Sequence, residues 1–283
     1  LAKHLKLKKE EVLVASTGII GKRLPLIKIK RAIPKLVKGL SLIGIDKAKR
    51  AILTTDKFTK EITAKFDLKK GKIVTLCGIA KGAGMIAPNL ATMLAFILTD
   101  ANITEEALRR ALKTSIDNSF NCISVDGCMS TNDSVLILAN GASMGPLIAS
   151  GKNFLLFSRA LNLVCLELAK MIVRDAEGAS KFIRIRVKGA KSQRQAKEAA
   201  WAVANSNLFK TAIYGENPNF GRIVSALGAS SVEIKEEKLR IKFSPLSKKE
   251  INLDISLGMG KASAMVYTSD LTPEYVKINA TYN

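Results

Sequence analysis

The sequence predicts an α/β (α+β) fold of layered mixed β-sheets with packed helices. Three observations carry that prediction. Short alternating or apolar runs of strand length stand beside longer segments whose apolar residues recur at helical spacing. The two kinds follow one another in mixed order, with hairpin-like neighbours and no regular βαβ alternation. The 283 residues, 47% of them hydrophobic, are enough to bury a sizeable core. No linker is visible, so one compact body and two domains fit equally well.

Taken in order, residues 3–11 are charged and read as a helix. Residues 12–15 form an apolar run that ends at Ser16-Thr17-Gly18, and Pro25 and Pro34 flank a basic amphipathic stretch. Strands are expected at 61–68, 72–79, 92–98, 134–138 and 181–187. The first and last alternate, as strands with one face in the core do. Helices are expected at 104–118, 155–174, 192–205 and 221–227. Ser192 is a fitting N-cap for the third. In the second, Leu161, Val164, Cys165, Leu168 and Ile172 form a core stripe, and Gly178 is placed to cap its end.

Composition narrows the function. No apolar run reaches the roughly 18 residues of a membrane span; residues 133–149 come closest, and Asn140 and Gly141 break them. The first residues are charged and do not resemble a secretory leader, so a cytoplasmic protein is expected. The chain begins with Leu, so a start upstream is expected too. The four cysteines (Cys77, Cys122, Cys128, Cys165) form no C-x-x-C pair and stand with a single histidine. That is no zinc cluster, and four buried reduced thiols are expected, with no metal. The net charge is +21 and uneven: residues 1–91 hold 21 Lys+Arg against 6 Asp+Glu, and the remainder holds 24 against 18. A basic surface attracts acidic metabolites and nucleic acid alike. Only 5% of residues are aromatic, which argues against base-stacking and leaves solvated lysines as the plain explanation.

The lone histidine, His4, lies in a charged terminal segment and offers no Ser-His-Asp or Cys-His site. Gly82-Ala83-Gly84 is a lone G-x-G without a dinucleotide or P-loop fingerprint. A nucleophile in this chain needs a base other than imidazole. The segment KGAGMIAPNLATMLAFILTD, residues 81–100, suggests one. A Gly-, Pro- and Asn-rich loop runs through Thr92 into an apolar strand. A threonine at a new N-terminus can use its own α-amine, with an ordinary pKa of about 7.7–8.0, to take its hydroxyl proton. Thr92 would first have to attack the carbonyl of Ala91 in an N-to-O acyl shift, with donors for the oxyanion. Spacing alone does not establish this: threonines are common at strand starts, and on spacing alone a polar strand-edge residue is the better reading.

Seven blocks decide between them: EEVLVASTGIIG (10–21), AILTTD (51–56), KGAGMIAPNLATMLAFILTDA (81–101), SVDGCMSTNDSVLILANG (124–141), LELAKMIVRDAEGASKF (166–182), GENPNFGRIVSALG (215–228) and SDLTPEYVKINA (269–280). In this order, over nearly the whole chain, they resemble the ornithine acetyltransferases, the bifunctional glutamate N-acetyltransferases of arginine biosynthesis. The resemblance implies a fold of the self-processing N-terminal-threonine-nucleophile type. It implies cleavage between Ala91 and Thr92 into an α chain, 1–91, and a β chain, 92–283, which stay together as one compact body and assemble as a heterotetramer of two of each. It implies that Thr92 takes the acetyl group of N-acetylornithine and passes it to glutamate, with no cofactor, though some members accept acetyl-CoA as donor. Thr17 and Gly18 match the family's oxyanion hole. Thr55, Lys81, Thr92, Glu177 and Asn279 match its substrate-binding positions, with Lys81 suited to a substrate carboxylate and Glu177 to an ammonium. Neither nucleic acid nor membrane is implied as a partner.

Without the resemblance, Thr17 reads as a turn cap, Thr55 as a strand-end hydrogen bond and Glu177 as a surface partner of Lys181. Asp126-Gly127 and Asn132-Asp133 read as turn residues, and GENPNFGR as the start of a helix. Three departures from the family stand out: little of its usual N-terminal segment precedes the first block, the chain stops one residue short of a family Thr or Ser, and Ala176 stands where Gly is usual. Two other functions remain open. One is an N-terminal-nucleophile amidohydrolase or aminopeptidase, with water as acceptor. The other is an inactive basic binding or scaffold protein.

Overall fold

The computed structural model describes residues 1–68, 71–87 and 93–281. The first part of the chain carries α1 (Ala2–Leu5), α2 (Leu26–Lys38) and α3 (Ile45–Ala51). The expected single helix over 3–11 is interrupted. α1 ends at Lys6 in a left-handed conformation (φ 56°), and Lys9–Glu11 form a separate 3-10 turn. The stretch between the two prolines is helical, and α2 continues beyond Pro34 to Lys38. Leu1, Leu5, Leu7, Val12 and Leu13 line an apolar groove with Phe96, Leu98, Leu136 and Leu138.

Two four-stranded sheets occur among the described residues. The first follows strand order: β1 (Lys60–Leu68), β2 (Lys72–Lys81), β3 (Leu94–Thr99) and β4 (Ser134–Ala139), with β3 and β4 parallel and the other pairs antiparallel. One face is covered by α5 (Gly151–Arg174), which packs on β1 and β2, and by α4 (Glu105–Asp117), which packs on α5. The stripe expected on the long helix is core: Leu161, Val164, Cys165, Leu168 and Ile172 are fully buried. Truncating one of these leucines to Ala would cost about 2–5 kcal/mol.

The second sheet has the order β6 (Arg240–Phe243), β7 (Glu250–Ser256), β5 (Phe182–Ala190), β8 (Ala262–Ser269). α6 (Gln193–Ala204) packs on β5 and β8, with α7 (Asn207–Tyr214) and α8 (Phe220–Gly228) beside it. α9 (Pro273–Ala280) follows β8. Side-chain caps set several helix starts: Ser192, as expected, accepts from Gln195 N at 3.2 Å, Asn219 from Arg222 N at 3.3 Å and Thr272 from Tyr275 N at 3.3 Å. Asn219 thus gives GENPNFGR the helix-starting role read from the sequence.

Each sheet has its own apolar core. One runs from Leu68 to Ala176 and takes in Phe182 and Tyr267; the other lies wholly within residues 183–266. Within the first, the Phe182 and Tyr267 rings stack, with centroids 5.8 Å apart. The four thiols are free, but only Cys165 is buried; Cys77 and Cys122 are half-buried and Cys128 is exposed. The expectation of four buried thiols is corrected to one, because only Cys165 lies on the inner stripe of α5. Among the described residues no helix is long and apolar enough to cross a membrane.

Candidate active site

The site is built around the point where β2 hands over to β3. Lys81, the last residue of β2, pairs in register with Leu94, the first of β3. Ala91 and Thr92, the proposed cleavage pair, lie between them and outside the described residues.

Lys81 is 2% exposed, and its Nζ donates to Thr54 Oγ1 at 3.1 Å. Burial pulls its pKa down and the nearby Lys60 adds to that, while Asp56, Asp133 and Glu177 oppose it. A cation so placed gains from an anionic ligand, which replaces the water it has lost.

The loop carrying Thr54 and Thr55 is held by a buried ion triad. Lys60 Nζ donates to Asp56 Oδ1 at 2.6 Å and to Asp175 Oδ2 at 2.5 Å, with all three side chains out of solvent. Asp56 Oδ1 also accepts from Gly82 N at 2.7 Å, and Asp175 from Lys57 N at 3.0 and 3.1 Å. Burial alone would raise the Asp56 pKa. The Gly82 N–H and Lys60 outweigh it and hold the carboxyl below its usual range. The triad locks the 54–57 loop between the end of β2 and the end of α5.

Glu177 follows α5 and is 9% exposed. Its amide donates to Ala83 O at 2.9 Å, and its Oε2 accepts from Asn279 Nδ2 at 3.1 Å. Gly84 lies against this carboxylate, where a Cβ would overlap it. The surface pairing read for Glu177 and Lys181 is not formed; Lys181 meets Glu216 at 2.8 Å. Nor does Gly178 cap α5, which ends at Arg174 with Asp175 as its cap residue. The reason is the triad, which needs Asp175 at the helix end. Gly178 instead has φ 67° in the following turn, packed on the backbone of Glu274 and Tyr275. Thr272 Oγ1 donates to Gly178 O at 2.6 Å, and Asp270 accepts from Ser180 N and Lys181 N, each at 2.9 Å. The turn that carries Glu177 is therefore tied to the start of α9, which carries Asn279.

Two acidic turns complete the surroundings. Asp126 accepts from Met85 N at 2.7 Å, Ile86 N at 3.0 Å and Tyr275 Oη at 3.3 Å, fixing the loop that leaves β2. Asp133 Oδ1 accepts from Met93 N at 2.6 Å. The adjacent Asn132 donates from Nδ2 to Ser16 O at 3.2 Å and to Ser16 Oγ at 3.4 Å. Through that contact the segment of Thr17, half-buried, and Gly18, exposed, reaches the start of β3.

Of the residues expected at the site, Lys81, Glu177 and Asn279 gather here, and Thr17 and Gly18 are linked to it through Ser16 and Asn132. Thr55 is half-buried in the loop that reaches Lys81, and it is its neighbour Thr54 whose hydroxyl meets the ammonium. Sequence reasoning read Asp126, Asn132 and Asp133 as turn residues only, and it singled out neither Asp56 nor Asp175. The signal was present, since all five fall in the blocks that carry the resemblance, and four of them, all but Asp175, stand beside Gly, Ser or Thr.

The chain matches the model of the ArgJ family over residues 1–247 and 244–283. It is 47% identical to the arginine biosynthesis bifunctional protein ArgJ 1 of Clostridium acetobutylicum, an alignment covering 99% of this chain and 75% of that protein. Identity to the arginine biosynthesis bifunctional protein ArgJ of Geobacter sulfurreducens is 44%, over 100% and 77%. The crystal structure of the ArgJ protein of Bacillus halodurans superposes with a TM-score of 0.64 at 35% identity, covering 66% of this chain and 98% of that one. The chain belongs to the ArgJ family, the ornithine acetyltransferase family that its sequence blocks resemble, and is an enzyme of that class.

Proposed function

We propose that the chain cuts itself between Ala91 and Thr92 and moves an acetyl group from N-acetylornithine to glutamate through an acetyl-Thr92 intermediate. The Thr92 hydroxyl attacks the acetyl carbonyl, and its proton passes to the Thr92 α-amine. Thr17 and the Gly18 N–H hold the oxyanion, and ornithine leaves with the proton. The glutamate amine then attacks the ester, and Thr92 recovers its hydroxyl as N-acetylglutamate departs. Lys81 binds the substrate carboxylate, and Glu177, oriented by Asn279, binds the substrate ammonium. Donor and acceptor are both substrates, so this exchange needs no cofactor; acetyl-CoA is a further acetyl donor for the same threonine.

The observation that carries this reading is the convergence of Lys81 and the Glu177–Asn279 pair where β2 and β3 flank the proposed cut. Two further observations support it. β2 and β3 are paired from Leu76↔Thr99 to Lys81↔Leu94, so the pieces 1–91 and 92–283 share one sheet and stay together once cut. The crystallised Bacillus halodurans chain is almost wholly covered by 66% of this one, a share of about the size of residues 92–283. Two such pairs form the heterotetramer.

The test is intact-mass analysis. The wild-type protein should yield pieces 1–91 and 92–283, and Thr92→Ala should remain whole and inactive. With N-acetylornithine alone, the larger piece should gain one acetyl group and lose it on addition of glutamate. An uncut wild-type chain that exchanged acetyl at full rate would end the proposal. Rapid release of acetate without glutamate would point instead to a hydrolase.

A further inference from the structure

One buried cation has no part in the mechanism above. Lys210, on α7, is 2% exposed. Its Nζ donates to Val125 O at 2.6 Å and to Thr268 Oγ1 at 3.0 Å. The buried Thr268 hydroxyl donates its own proton to Ala204 O at 3.3 Å, which leaves its oxygen able to accept. Neither acceptor is charged. An ammonium enclosed in this way is costly, and a methionine would fill the same space without that penalty, so the lysine calls for an explanation.

The places of the two acceptors supply one. Val125 stands beside Asp126, whose carboxylate accepts from Met85 N and Ile86 N, and Val125 N donates to Ile86 O at 2.8 Å. Thr268 stands two residues before Asp270, whose carboxylate accepts from Ser180 N and Lys181 N. Leu271, next to Asp270, donates its amide to Lys210 O at 3.4 Å. The two carboxylates therefore hold the two walls around Glu177. One wall is the 83–86 segment, where Ala83 O accepts from Glu177 N and Gly84 lies against the Glu177 carboxylate. The other is the turn that carries Glu177 itself. Phe209 and Ile213 root α7 in the second core, whereas Val125 belongs to the first, so the Lys210 side chain crosses from one core to the other.

Asp126, from the segment beside α7, and Asp270, just after β8, are the charged groups described as acting on Lys210. They raise its pKa, but burial is the larger effect and brings it down to about 8. The side chain is thus mostly charged at neutral pH and discharges as the pH rises through that value.

We propose that Lys210 is a positioning residue for substrate binding: its buried positive charge holds the Asp126 and Asp270 segments together and so sets the place at which the Glu177 carboxylate meets the substrate ammonium. This rests on the role given to Glu177 in the acetyl-transfer reading above.

Lys210→Met tests it, because it removes the charge at nearly constant volume. Wild-type acetyl exchange is measured first; a wild type that exchanges none overturns the parent reading and this one together. Given an active wild type, Lys210→Met should raise KM for N-acetylornithine about tenfold at neutral pH and change kcat less than about threefold. The variant is neutral at every pH. Its KM should therefore climb less than the wild-type KM between about pH 7 and about pH 9, the range over which Lys210 discharges. Because the charge acts through Glu177, the same substitution in a Glu177→Gln background should raise KM less than about twofold further. A wild-type KM in Lys210→Met, whatever its unfolding temperature, would overturn the inference. So would a full tenfold rise in the Glu177→Gln background. If Met costs the fold, Thr268→Val decides, since it keeps the ammonium and removes one of its acceptors. KM should then rise about threefold or more with kcat kept, and a wild-type KM would refute the role.

Discussion

Asn279 Nδ2 donates to Glu177 Oε2 at 3.1 Å, joining the last helix to the turn after α5 across 102 positions of sequence. Because the amide holds the carboxylate in place, Asn279→Ala should raise KM for the amino-acid substrates while leaving cleavage intact. A hydrogen bond to a charged group contributes about 1.5–3 kcal/mol, so a rise of roughly ten- to hundredfold is expected. Glu177→Gln should raise KM at least as far. Steady-state kinetics on both variants checks this, and an unchanged KM in Glu177→Gln would remove the ammonium-binding role.

Lys81→Met should do the same through the substrate carboxylate. Methionine has nearly the volume of the lysine stem, and burying it carries no charge penalty. Thermal stability should be kept or rise while KM rises tenfold or more. A variant that bound substrate as well as wild type would show that Lys81 serves the fold alone.

The Lys60–Asp56–Asp175 triad predicts a stability effect and a pH effect. Lys60→Met leaves two buried carboxylates facing each other and should cost about 3–5 kcal/mol in denaturant unfolding. The Asp56 carboxyl is held below its usual pKa of 3.8 in the folded protein. Its contribution is therefore complete above that value and lost as the pH falls through the folded value. Wild-type stability should drop on acidification below about pH 4, and an Asp56→Asn variant should show a shallower decline there.

Gly178→Ala should be severe. A left-handed φ costs an L-residue about 1–2 kcal/mol, and the added Cβ would overlap the backbone of Glu274 and Tyr275. The turn would have to shift, taking Glu177 away from Asn279. A lowered unfolding temperature together with a raised KM is expected; loss of stability alone would show that the turn holds its place by other ties.

The first sheet, the long helix and β5 were legible because their apolar periodicity is strong and local. β7 alternates as clearly in the structure, yet it follows a run of lysine and serine where the pattern competes with turn signals, and β8 ends in four consecutive buried residues, so it carries no clean alternation. β6 is four residues long, too short to carry a period. α7 and α9 are single short helices whose apolar stripes are brief; Ser206, which accepts from Phe209 N at 3.3 Å, caps the first, and Thr272 the second. At the site, resemblance pointed to Lys81, Glu177 and Asn279. It did not reveal the triad or Asp133, because a carboxylate's partner across 40 or 115 positions is set by tertiary packing, and in sequence each looks like a turn residue.

Severing the chain after Ala91 would change what the two apolar cores are. The core within residues 183–266 belongs to one polypeptide and would melt at a temperature independent of dilution. The other draws on Leu68, Val74 and Leu76 from one piece and Ile97, Leu161 and Leu168 from the other, so it would become an association between two molecules, subject to mass action. A thousandfold dilution would then loosen the half that holds the chemistry while the rest stood, and the working enzyme would owe its integrity to how much of it the cell keeps.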